Sequence, residues 1–349
     1  MSVTLADVAA RAGVSAATVS RVLNGNYPVA GSTRSRVLAA VEELEYVVNG
    51  PASALAAATS DLVGVLVNDI ADPFFGQLAG AVQSQFGAEA AGGPRMAIIC
   101  NTGGSAEREL TYLTLLQRQR AAAVILTGGA IEDPAHIAAL SARLRRLESA
   151  GTRIVLCGRP PLPDADVPTL AFDNRGGARR LTEHLLGLGH RTIGYLAGPA
   201  ARTTTRHRLE GHRDALAAAG LAGSTDHLTL HGAYDREAGY EGALTLLDRE
   251  PGLTAVLTAN DTVALGACAA LRERGLRIPD DVSVAGFDDL PFAVDATPAL
   301  TTVRVPLQEA GARAGRLALA RETLGEGIVT CPTTLVPRAS TAPPPQVKP

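Results

Sequence analysis

The sequence contains no tryptophan, only two methionines and a single lysine, Lys348. Its four cysteines lie far apart, and three of them lie in or near apolar stretches. This arrangement predicts buried free thiols rather than disulfides or a metal site, at Cys100, Cys157, Cys268 and Cys331. No apolar run is long enough to cross a membrane, and the N-terminus lacks the charged-then-apolar pattern of a secretory signal. We therefore expect a cytoplasmic protein without a membrane partner.

A large excess of positive charge is also missing. The formal net charge is −3, which excludes a polycation, so any contact with nucleic acid must come from a local surface. With 46% hydrophobic and 19% charged residues, the chain can bury large cores and does not have the composition of a disordered protein. A length of 349 residues predicts two or three domains.

Motifs for catalysis are absent as well. The sequence contains no G-x-x-x-x-G-K-[ST] phosphate loop, no G-x-G-x-x-G after a predicted strand and no G-x-S-x-G hydrolase elbow. Its seven histidines do not have the spacing of a metal site. We therefore predict no catalytic residue, no metal and no cofactor, and a protein that is not an enzyme.

The sequence does contain three regions of different character. Residues 1–48 have helical periodicity, and residues 49–60, "NGPASALAAATS", have the composition of a linker. From Asp61 onwards, short apolar runs alternate with helical patterns, which indicates βαβ units and parallel sheets covered on both faces. The runs are too many for one sheet, so we predict two doubly wound lobes, with "LVGVLV", "MAIIC", "AAVIL", "RIVLC", "TIGYLAG", "TAVLTA" and "VSVAGF" among their strands. The Pro-rich tail, residues 341–349, is predicted to be disordered.

The first 48 residues predict a helix-turn-helix. Thr4 and Asp7 have the spacing of a capping box, Gly13 permits a turn with positive φ, and Ser15 can cap a second helix that ends near Asn24. A third helix over about 32–46 has apolar residues at helical spacing that would close the core, namely Val37, Leu38, Val41 and Leu44. In such a motif the second helix lies in the major groove of DNA. An ordinary small helical bundle remains the alternative.

The run "TLADVAARAGVSAATVSRVLNG", which starts at Thr4, resembles the opening of the LacI/GalR family of bacterial transcriptional regulators. The resemblance implies an all-α helix-turn-helix headpiece (1–48), a hinge helix (49–60) and an α/β core (61–340). That core is expected to have two Rossmann-like lobes and to be similar to type I periplasmic binding proteins. Lobe 1 is expected over about 61–159 and 291–320, and lobe 2 over about 160–290 and 321–340.

The same resemblance implies which residues contact DNA. Ala16 and Ala17 occupy the two variable positions that select the operator sequence, and their methyl groups offer only apolar contact, typically to thymine. Arg21 matches a groove contact and can read a guanine. The other DNA-contact residues implied are Thr4, Ser15, Thr18, Ser20 and Asn24 in the headpiece, and Leu55, which would enter the minor groove.

The linker departs from the family pattern at one position. Family members have an A-R-S-L element, whereas this chain has Ala52, Ser53, Ala54 and Leu55, so that Ser53 replaces the arginine. Residues 1–57 contain four basic and four acidic residues. Because neutralisation of phosphates supplies much of the affinity for DNA and its salt dependence, we expect weaker binding and a shallower salt dependence than in a typical member.

The resemblance continues to about Arg338, through "DPFF" (72–75), "LGHRTIGYLAGP" (188–199), "RLEGHRDAL" (208–216), "AND" (259–261), "LRERGLRIPDDVSVAGFDDLP" (271–291) and "LTTVRVP" (300–306). Independently, ligands of open α/β sheets bind outside the carboxyl ends of the strands, where "NDIADPFF", "ND" and "FDD" follow predicted strands. Aromatic rings, aspartates and an arginine suit a sugar, through stacking and charge-assisted hydrogen bonds to hydroxyls.

Matching to the family implies ligand contacts for Phe74 or Phe75, Arg206, Tyr234, Asp261 and, near the lobe junction, Asp288. Each has an alternative: both phenylalanines could be core, Arg206 could be a solvated charge, Asp261 could cap the following helix, and Tyr234 could have no ligand role. Many relatives have an aspartate where this chain has Gly158 in "LCGRP". Because that partner for a hydroxyl is missing, a nucleoside, another sugar or a modified ligand stays open beside a standard hexose.

These observations predict a transcriptional regulator, specifically a repressor, that binds a palindromic double-stranded DNA operator as a homodimer. A small-molecule effector, expected to be a carbohydrate, would act from the cleft between the lobes. The alternative is a cytoplasmic solute-binding or sensor protein with the same two-lobe body and weak or no DNA binding.

Overall fold

A computed structural model of the chain describes residues 3–24, 28–47, 60–87, 94–163, 165–224, 226–325 and 327–345. The chain divides into two compact units, Met1–Ser60 and Asp61–Pro349. The hinge segment predicted over residues 49–60, including Leu55, lies outside the described residues except for Ser60.

The first unit is helical, with α1 (Leu5–Ala12), α2 (Ala16–Asn24) and α3 (Gly31–Glu43). The predicted capping box is present, because the backbone N–H of Thr4 donates to the Asp7 carboxylate at 2.8 Å and the Thr4 hydroxyl accepts from the backbone N–H of Asp7. Gly13 ends α1 with a φ of 65°, a conformation that favours glycine. The first two predicted helices are therefore confirmed together with their caps.

The core of this unit consists of small and β-branched side chains, with Val8, Val19 and Val37 fully buried. The prediction for α3 differs in two respects. The helix ends at Glu43 instead of Tyr46, because Glu45 adopts a positive φ of 48°. Leu38, which was expected in the core, is 47% exposed. The apolar face of α3 is therefore narrower than its sequence suggests.

The second unit alternates strands and helices. Its strands are β1 (Leu62–Val67), β2 (Met96–Asn101), β3 (Ala123–Thr127), β4 (Arg153–Cys157), β5 (Thr169–Phe172), β6 (Ile193–Ala197), β7 (Thr229–His231), β8 (Ala255–Thr258), β9 (Ser283–Ala285), β10 (Thr302–Arg304), β11 (Ile328–Cys331) and β12 (Thr334–Val336). Its helices are α4 (Pro73–Gln83), α5 (Ala106–Arg118), α6 (Pro134–Ser149), α7 (Asn174–Gly187), α8 (Thr203–Ala218), α9 (Arg236–Arg249), α10 (Asp261–Glu273), α11 (Phe292–Asp295) and α12 (Leu307–Ala318). All seven apolar runs named above form strands, as predicted.

The strands form two separate parallel sheets, which give two lobes. The first sheet has the order β11-β5-β4-β3-β1-β2, and the second has the order β7-β6-β8-β9. Strands β10 and β12 pair antiparallel outside both sheets. Strands β5 and β11 belong to the first sheet, whereas the predicted boundaries put residues 160–290 and 321–340 in lobe 2. The predicted lobe boundaries are therefore wrong at these two strands, because apolar runs reveal strands and not their pairing.

Helices cover the sheets closely. Helix α12 packs on α4, where Gly311 faces the Leu78 carbonyl oxygen; a Cβ at residue 311 would lie 2.7 Å from that oxygen. Parallel strands covered on both faces need continuous apolar runs. Strand β3 meets this requirement with every residue buried. The result is a rigid scaffold whose loops converge at the carboxyl ends of the strands.

The C-terminal segment is ordered beyond the predicted start of the disordered tail at residue 341. The His190 Nε2 lies 2.9 Å from the carbonyl oxygen of Ala342, and the backbone N–H of Ala342 donates to the Ser283 hydroxyl at 3.1 Å. Thr341 lies 3.0 Å from the ring nitrogen of His184. The prediction of disorder from residue 341 is therefore wrong at these first two residues, while residues 346–349 lie outside the described part of the chain.

The thiol prediction is confirmed, because all four cysteines are free and buried. Burial raises the pKa of the Cys100 and Cys268 thiols to about 11. Both groups are thus unreactive thiols at neutral pH. Within the described residues, no helix has the length and apolar character needed to cross a membrane.

Candidate functional site

A cavity of about 270 Å³ opens between the two lobes of the second unit, at the carboxyl ends of the strands, where the sequence places a ligand. The first lobe contributes the loops that follow β1 to β5, and the second lobe contributes the loops that follow β6 to β9. The lining residues are Asn68, Asp69, Asp72, Phe74, Phe75, Gly103, Gly104, Gly128, Gly129, Gly158, Phe172 and Asn174 from the first lobe and its edge, and Pro199, Arg202, Thr204, Arg208, Ala233, Tyr234, Asp235, Asn260 and Asp288 from the second.

One wall of the cavity is aromatic. The Asp72 carboxylate accepts a hydrogen bond from the backbone N–H of Phe74 at 3.0 Å and so caps α4, and Pro73 occupies the first turn. This start of the helix places the rings of Phe74 and Phe75 edge to face, with ring centroids 5.0 Å apart. The ring of Phe172 also packs edge to face on that of Phe74, with ring centroids 6.3 Å apart. All three rings are buried and line the cavity. Phe74 and Phe75 are therefore both core residues and part of the cavity wall.

Gly158 explains how Phe172 reaches the cavity. It follows β4 with a φ of 80°, and a Cβ at this residue would lie 2.8 Å from the Phe172 ring. A side chain at residue 158 would therefore displace that ring. At this position the cavity is therefore lined by an aromatic ring.

Arg208 is the best-anchored polar group of the cavity. Its guanidinium donates to the Asn174 side-chain oxygen at 2.8 Å, the Asp288 carboxylate at 2.9 Å and the Ala259 carbonyl oxygen at 2.5 Å, and it lies 3.7 Å from the centre of the Phe287 ring. Burial raises the pKa of Asp288 to about 7, while Arg208 acts in the opposite direction. The pair is fixed in position, as a rigid ligand site requires.

Arg206 does not line the cavity, so the expectation that it faces the ligand is wrong. Its side chain is 46% exposed and donates to Glu132 at 2.7 Å and to Glu210 at 2.8 Å. Residues 206 and 208 lie about 200° apart around α8, so only one of the two can point into the cavity. The buried stripe of α8 (Thr205, Arg208, Leu209, His212 and Leu216) has helical spacing and could have identified Arg208 from the sequence.

Asp261 is also displaced from its expected role. The residue is fully buried outside the cavity lining, and its carboxylate accepts from the Thr302 hydroxyl at 2.6 Å and from the backbone N–H of Leu290 at 2.8 Å. Burial raises the pKa of Asp261 well above its usual range, and nearby Asp288 adds to this shift. Its neighbour Asn260 lines the cavity and caps α10. The residue that caps α10 and lines the cavity is therefore Asn260, and the sequence analysis did not identify it.

Tyr234 and Asp288, for which the family resemblance implies ligand contacts, both line the cavity. Tyr234 lines the cavity, and its hydroxyl lies 2.6 Å from the Thr205 hydroxyl. Burial raises the pKa of Tyr234, so that its hydroxyl stays protonated at neutral pH. It can therefore donate a hydrogen bond and also offer a ring face to a ligand.

The second candidate site is the surface of the helical unit around α2. The first-turn residues Ala16 and Ala17 are exposed, as are Ser15, Thr4 and Arg21, and Thr18 and Ser20 are partly exposed. The Ser15 hydroxyl accepts from the backbone N–H of Thr18 at 3.2 Å, which confirms the predicted cap. Asn24 is the last residue of α2. Elsewhere in this unit, Arg11 of α1 pairs with Glu43 of α3 at 2.6 Å, which compensates one of the few basic residues.

Comparison with known proteins connects the two sites. Residues 4–49 match the bacterial regulatory proteins of the lacI family, and residues 182–341 match the periplasmic binding protein-like domain. The HTH-type transcriptional regulator GalR of Escherichia coli (strain K12) is 36% identical over 317 residues, which cover 91% of this chain and 88% of GalR.

Solved structures agree with this match. The lac repressor dimer bound to operator and the anti-inducer ONPF is 30% identical, with a TM-score of 0.78, and the match covers 98% of this chain and 100% of that one. The complex of the transcriptional regulator CelR with cellobiose is 33% identical, with a TM-score of 0.68, and the match covers 97% and 99%. The predicted fold class, a helix-turn-helix headpiece before a two-lobe α/β core, is thereby confirmed. The chain belongs to the lacI family of bacterial regulatory proteins and is a DNA-binding transcriptional regulator.

Proposed function

We propose that the protein is a repressor that binds a palindromic operator as a dimer and responds to a carbohydrate bound in the cavity. The observation that carries the proposal is the cavity itself, which combines aromatic rings with a fixed arginine and aspartate at the carboxyl ends of both sheets. CelR, a relative with the same architecture, has been seen with cellobiose. Aromatic stacking and charge-assisted hydrogen bonds to hydroxyls suit such a ligand.

For the effector, we assign the rings of Phe74, Phe75 and Phe172 to apolar contact and Tyr234 to contact from the second lobe. Arg208, Asn260 and Asp288 take the polar roles first expected of Arg206 and Asp261. The support for this assignment is that these residues line the cavity and come from both lobes. A ligand that contacts both lobes binds their closed arrangement better than an open one, which is the requirement for shifting a conformational equilibrium.

For DNA, we assign base contacts to Ala16, Ala17 and Arg21 at the exposed start and face of α2, with Thr4, Ser15, Thr18, Ser20 and Asn24 as supporting contacts. Residues 1–48 would form the DNA-binding domain, and residues 49–60 would form a hinge whose Leu55 enters the minor groove. Residues 61–340 would form the effector and dimerisation core. A coupling of about 1–3 kcal/mol between effector and operator would change operator affinity about 5–150-fold.

The test uses the full chain, palindromes from the DNA upstream of its own gene, and a panel of carbohydrates. Arg21→Gln should weaken operator binding by about 1–3 kcal/mol and leave carbohydrate binding unchanged, because the loss is confined to a base contact. Arg208→Gln should keep operator binding and lose the response to the carbohydrate. Fluorescence anisotropy measures the first property, and calorimetry measures the second.

Two further variants make the test decisive. Tyr234→Ala removes a half-buried cavity contact without disturbing the buried Arg208 network, and it should also weaken carbohydrate binding. Arg213→Gln, on the exposed side of α8 where Arg213 pairs with Asp226, should behave like the unaltered protein in both assays. If no upstream palindrome is bound with or without carbohydrate, the repressor proposal fails; a carbohydrate that still binds would then favour the sensor alternative.

A further inference from the structure

Arg202 is a cation in the cavity wall whose charge has no matching carboxylate. It immediately precedes α8 in the second lobe, and its guanidinium donates to two carbonyl oxygens of the first lobe, Gly104 at 2.6 Å and Gly129 at 3.1 Å. Within the described part of the chain, no carboxylate oxygen lies within 4 Å of the guanidinium. These two acceptors are neutral, so Arg202 has no direct ion-pair partner there, and Glu109 acts on its charge only through space.

The surroundings of Arg202 increase this imbalance. Burial lowers the pKa of Arg202 and the nearby guanidinium of Arg159 lowers it further, while Glu109 and Tyr234 act in the opposite direction. Arg159 is itself buried and pairs with Glu109 at 2.5 Å, and the same carboxylate lies 2.8 Å from His136. The Arg159 Nη1 is buried without a hydrogen-bond partner among the described residues. The guanidinium groups of Arg159 and Arg202 thus lie near a single carboxylate, that of Glu109, which pairs directly with Arg159 only.

The aspartates that line the cavity do not supply the missing charge. None of them pairs with Arg202: Asp288 pairs with Arg208 at 2.9 Å, while Asp69, Asp72 and Asp235 accept hydrogen bonds from the backbone N–H groups of Ala71, Phe74 and Ala238 at 3.0, 3.0 and 2.8 Å. Arg202 is therefore a lining cation that has no ion-pair partner among the described residues, and a ligand anion can supply one.

We propose that the effector is an acidic carbohydrate, whose carboxylate or phosphate group pairs with Arg202. This inference rests on the proposed function of the cavity as the carbohydrate site. A partly buried charge without a partner is costly, and a guanidinium fork matches the two oxygens of a carboxylate or phosphate. Since Arg202 comes from the second lobe while Gly104 and Gly129 belong to the first, an anion at Arg202 also sits where the two lobes meet.

The experiment compares matched neutral and acidic carbohydrates on the full chain by calorimetry and thermal shift. The pairs are glucose with glucuronate, galactose with galacturonate, and glucose with glucose 6-phosphate; acetate and inorganic phosphate test the anion alone. We expect at least one acidic member to bind tenfold or more tightly than its neutral partner. Preference for a uronate identifies a carboxylate, and preference for the phosphate ester identifies a phosphate.

Variants at residue 202 test whether the preference for acidic carbohydrates depends on Arg202. Arg202→Gln should bind the two members of a pair equally, and Arg202→Lys should retain part of the preference because it keeps the charge but loses the fork. Arg206→Gln is the matched control, since it removes a neighbouring arginine that pairs with Glu132 and Glu210 outside the cavity lining, and its preference should match that of the unaltered protein.

The outcomes separate this inference from the function on which it rests. Equal or tighter binding of the neutral members by the unaltered protein overturns it, as does an undiminished preference in Arg202→Gln. If Arg202→Gln does not fold, a preference unchanged in Arg202→Lys overturns it instead. Failure of every neutral and acidic carbohydrate to bind, with operator binding intact, contradicts the carbohydrate assignment itself.

Discussion

At the scale of the residue, His212 is a neutral group held inside the second lobe. Its Nδ1 lies 3.0 Å from the Thr182 hydroxyl, and its ring packs 5.0 Å from that of Tyr195. Burial lowers the pKa of His212 to about 3. An unfolded histidine binds a proton below about pH 6.5, whereas the folded one does not. The stability contributed by this group is therefore complete above pH 6.5 and decreases as the pH falls toward 3, by up to about 1.4 kcal/mol per pH unit.

Urea unfolding at pH 7.0, 5.5 and 4.5 tests this expectation. The free energy of unfolding should decrease less between pH 7.0 and 4.5 in His212→Gln than in the unaltered protein, because glutamine does not titrate and can still bond to Thr182. His227→Gln, at an exposed position, is the control and should leave the pH dependence unchanged. Parallel curves for His212→Gln and the unaltered protein would show that His212 is not the group responsible.

At this scale, the sequence analysis identified the segments that line the cavity, but in two of them it selected a residue that does not line it. Phe74, Phe75, Tyr234 and Asp288 line the cavity. Phe74, Phe75 and Asp288 lie in segments that follow predicted strands, whereas Tyr234 was implied by the family resemblance alone. Arg208 replaces Arg206, because a shift of two residues turns a helix side chain to the opposite face. Asn260 replaces Asp261 for a similar reason: one residue separates a cavity-lining cap from the first buried turn of α10.

At the scale of the element, β2 forms an edge of the first sheet and carries exposed apolar side chains. Met96 is 58% exposed, Ile99 is 36% exposed, and Leu115 of α5 is also exposed. An apolar edge strand favours pairing with another chain. We expect this edge to contribute to the homodimer, so that Met96→Glu shifts the dimer toward monomer and weakens operator binding, as measured by sedimentation velocity and anisotropy.

The opposite edge of the same sheet supplies the control for this variant. Ile328 of β11 is 45% exposed, so Ile328→Glu places the same charge on an edge strand of similar exposure. It should leave the dimer intact, because Ile328 is the one large apolar side chain that is strongly exposed in β11, whereas β2 has two. A dimer that survives Met96→Glu, or one that dissociates equally with Ile328→Glu, would contradict a role for the β2 edge.

Strands were predictable as elements, whereas their sheet membership was not. The apolar runs at β1 and β3 are buried and have the length of strands, so their pattern alone identifies them. The run at β5 is equally apolar, but it pairs with β4 through Leu156 opposite Thr169, and this long-range pairing leaves no trace in local periodicity. The same limit explains why β11 appeared in the wrong lobe.

At the scale of the whole molecule, the distribution of charge governs how tightly DNA is held. Residues 1–57 contain as many acidic as basic residues, and Arg11 is paired with Glu43. Each phosphate neutralised by a protein cation releases a counterion. We expect the plot of log K against log salt for operator binding to be shallower than the slope of about −10 known for lac repressor.

Ser53→Arg tests the same idea in the opposite direction. It restores the arginine of the family's linker pattern and should steepen the slope by about one unit, because one more phosphate is contacted. Fluorescence anisotropy at a series of salt concentrations measures both slopes, with Ser53→Gln as the uncharged control. An unaltered protein with a slope near −10 would contradict the expectation.

The contact between Gly158 and Phe172 constrains which pairs of residues can occupy these two positions. Because a side chain at residue 158 meets the aromatic ring and Gly158 has a φ of 80°, an aspartate at residue 158 would require both a smaller residue at 172 and a strained backbone. The order of substitutions then matters: losing the ring first passes through a cavity with reduced apolar contact, while gaining the carboxylate first passes through a steric clash. Residues 158 and 172 are therefore coupled, since neither single substitution preserves the present fit.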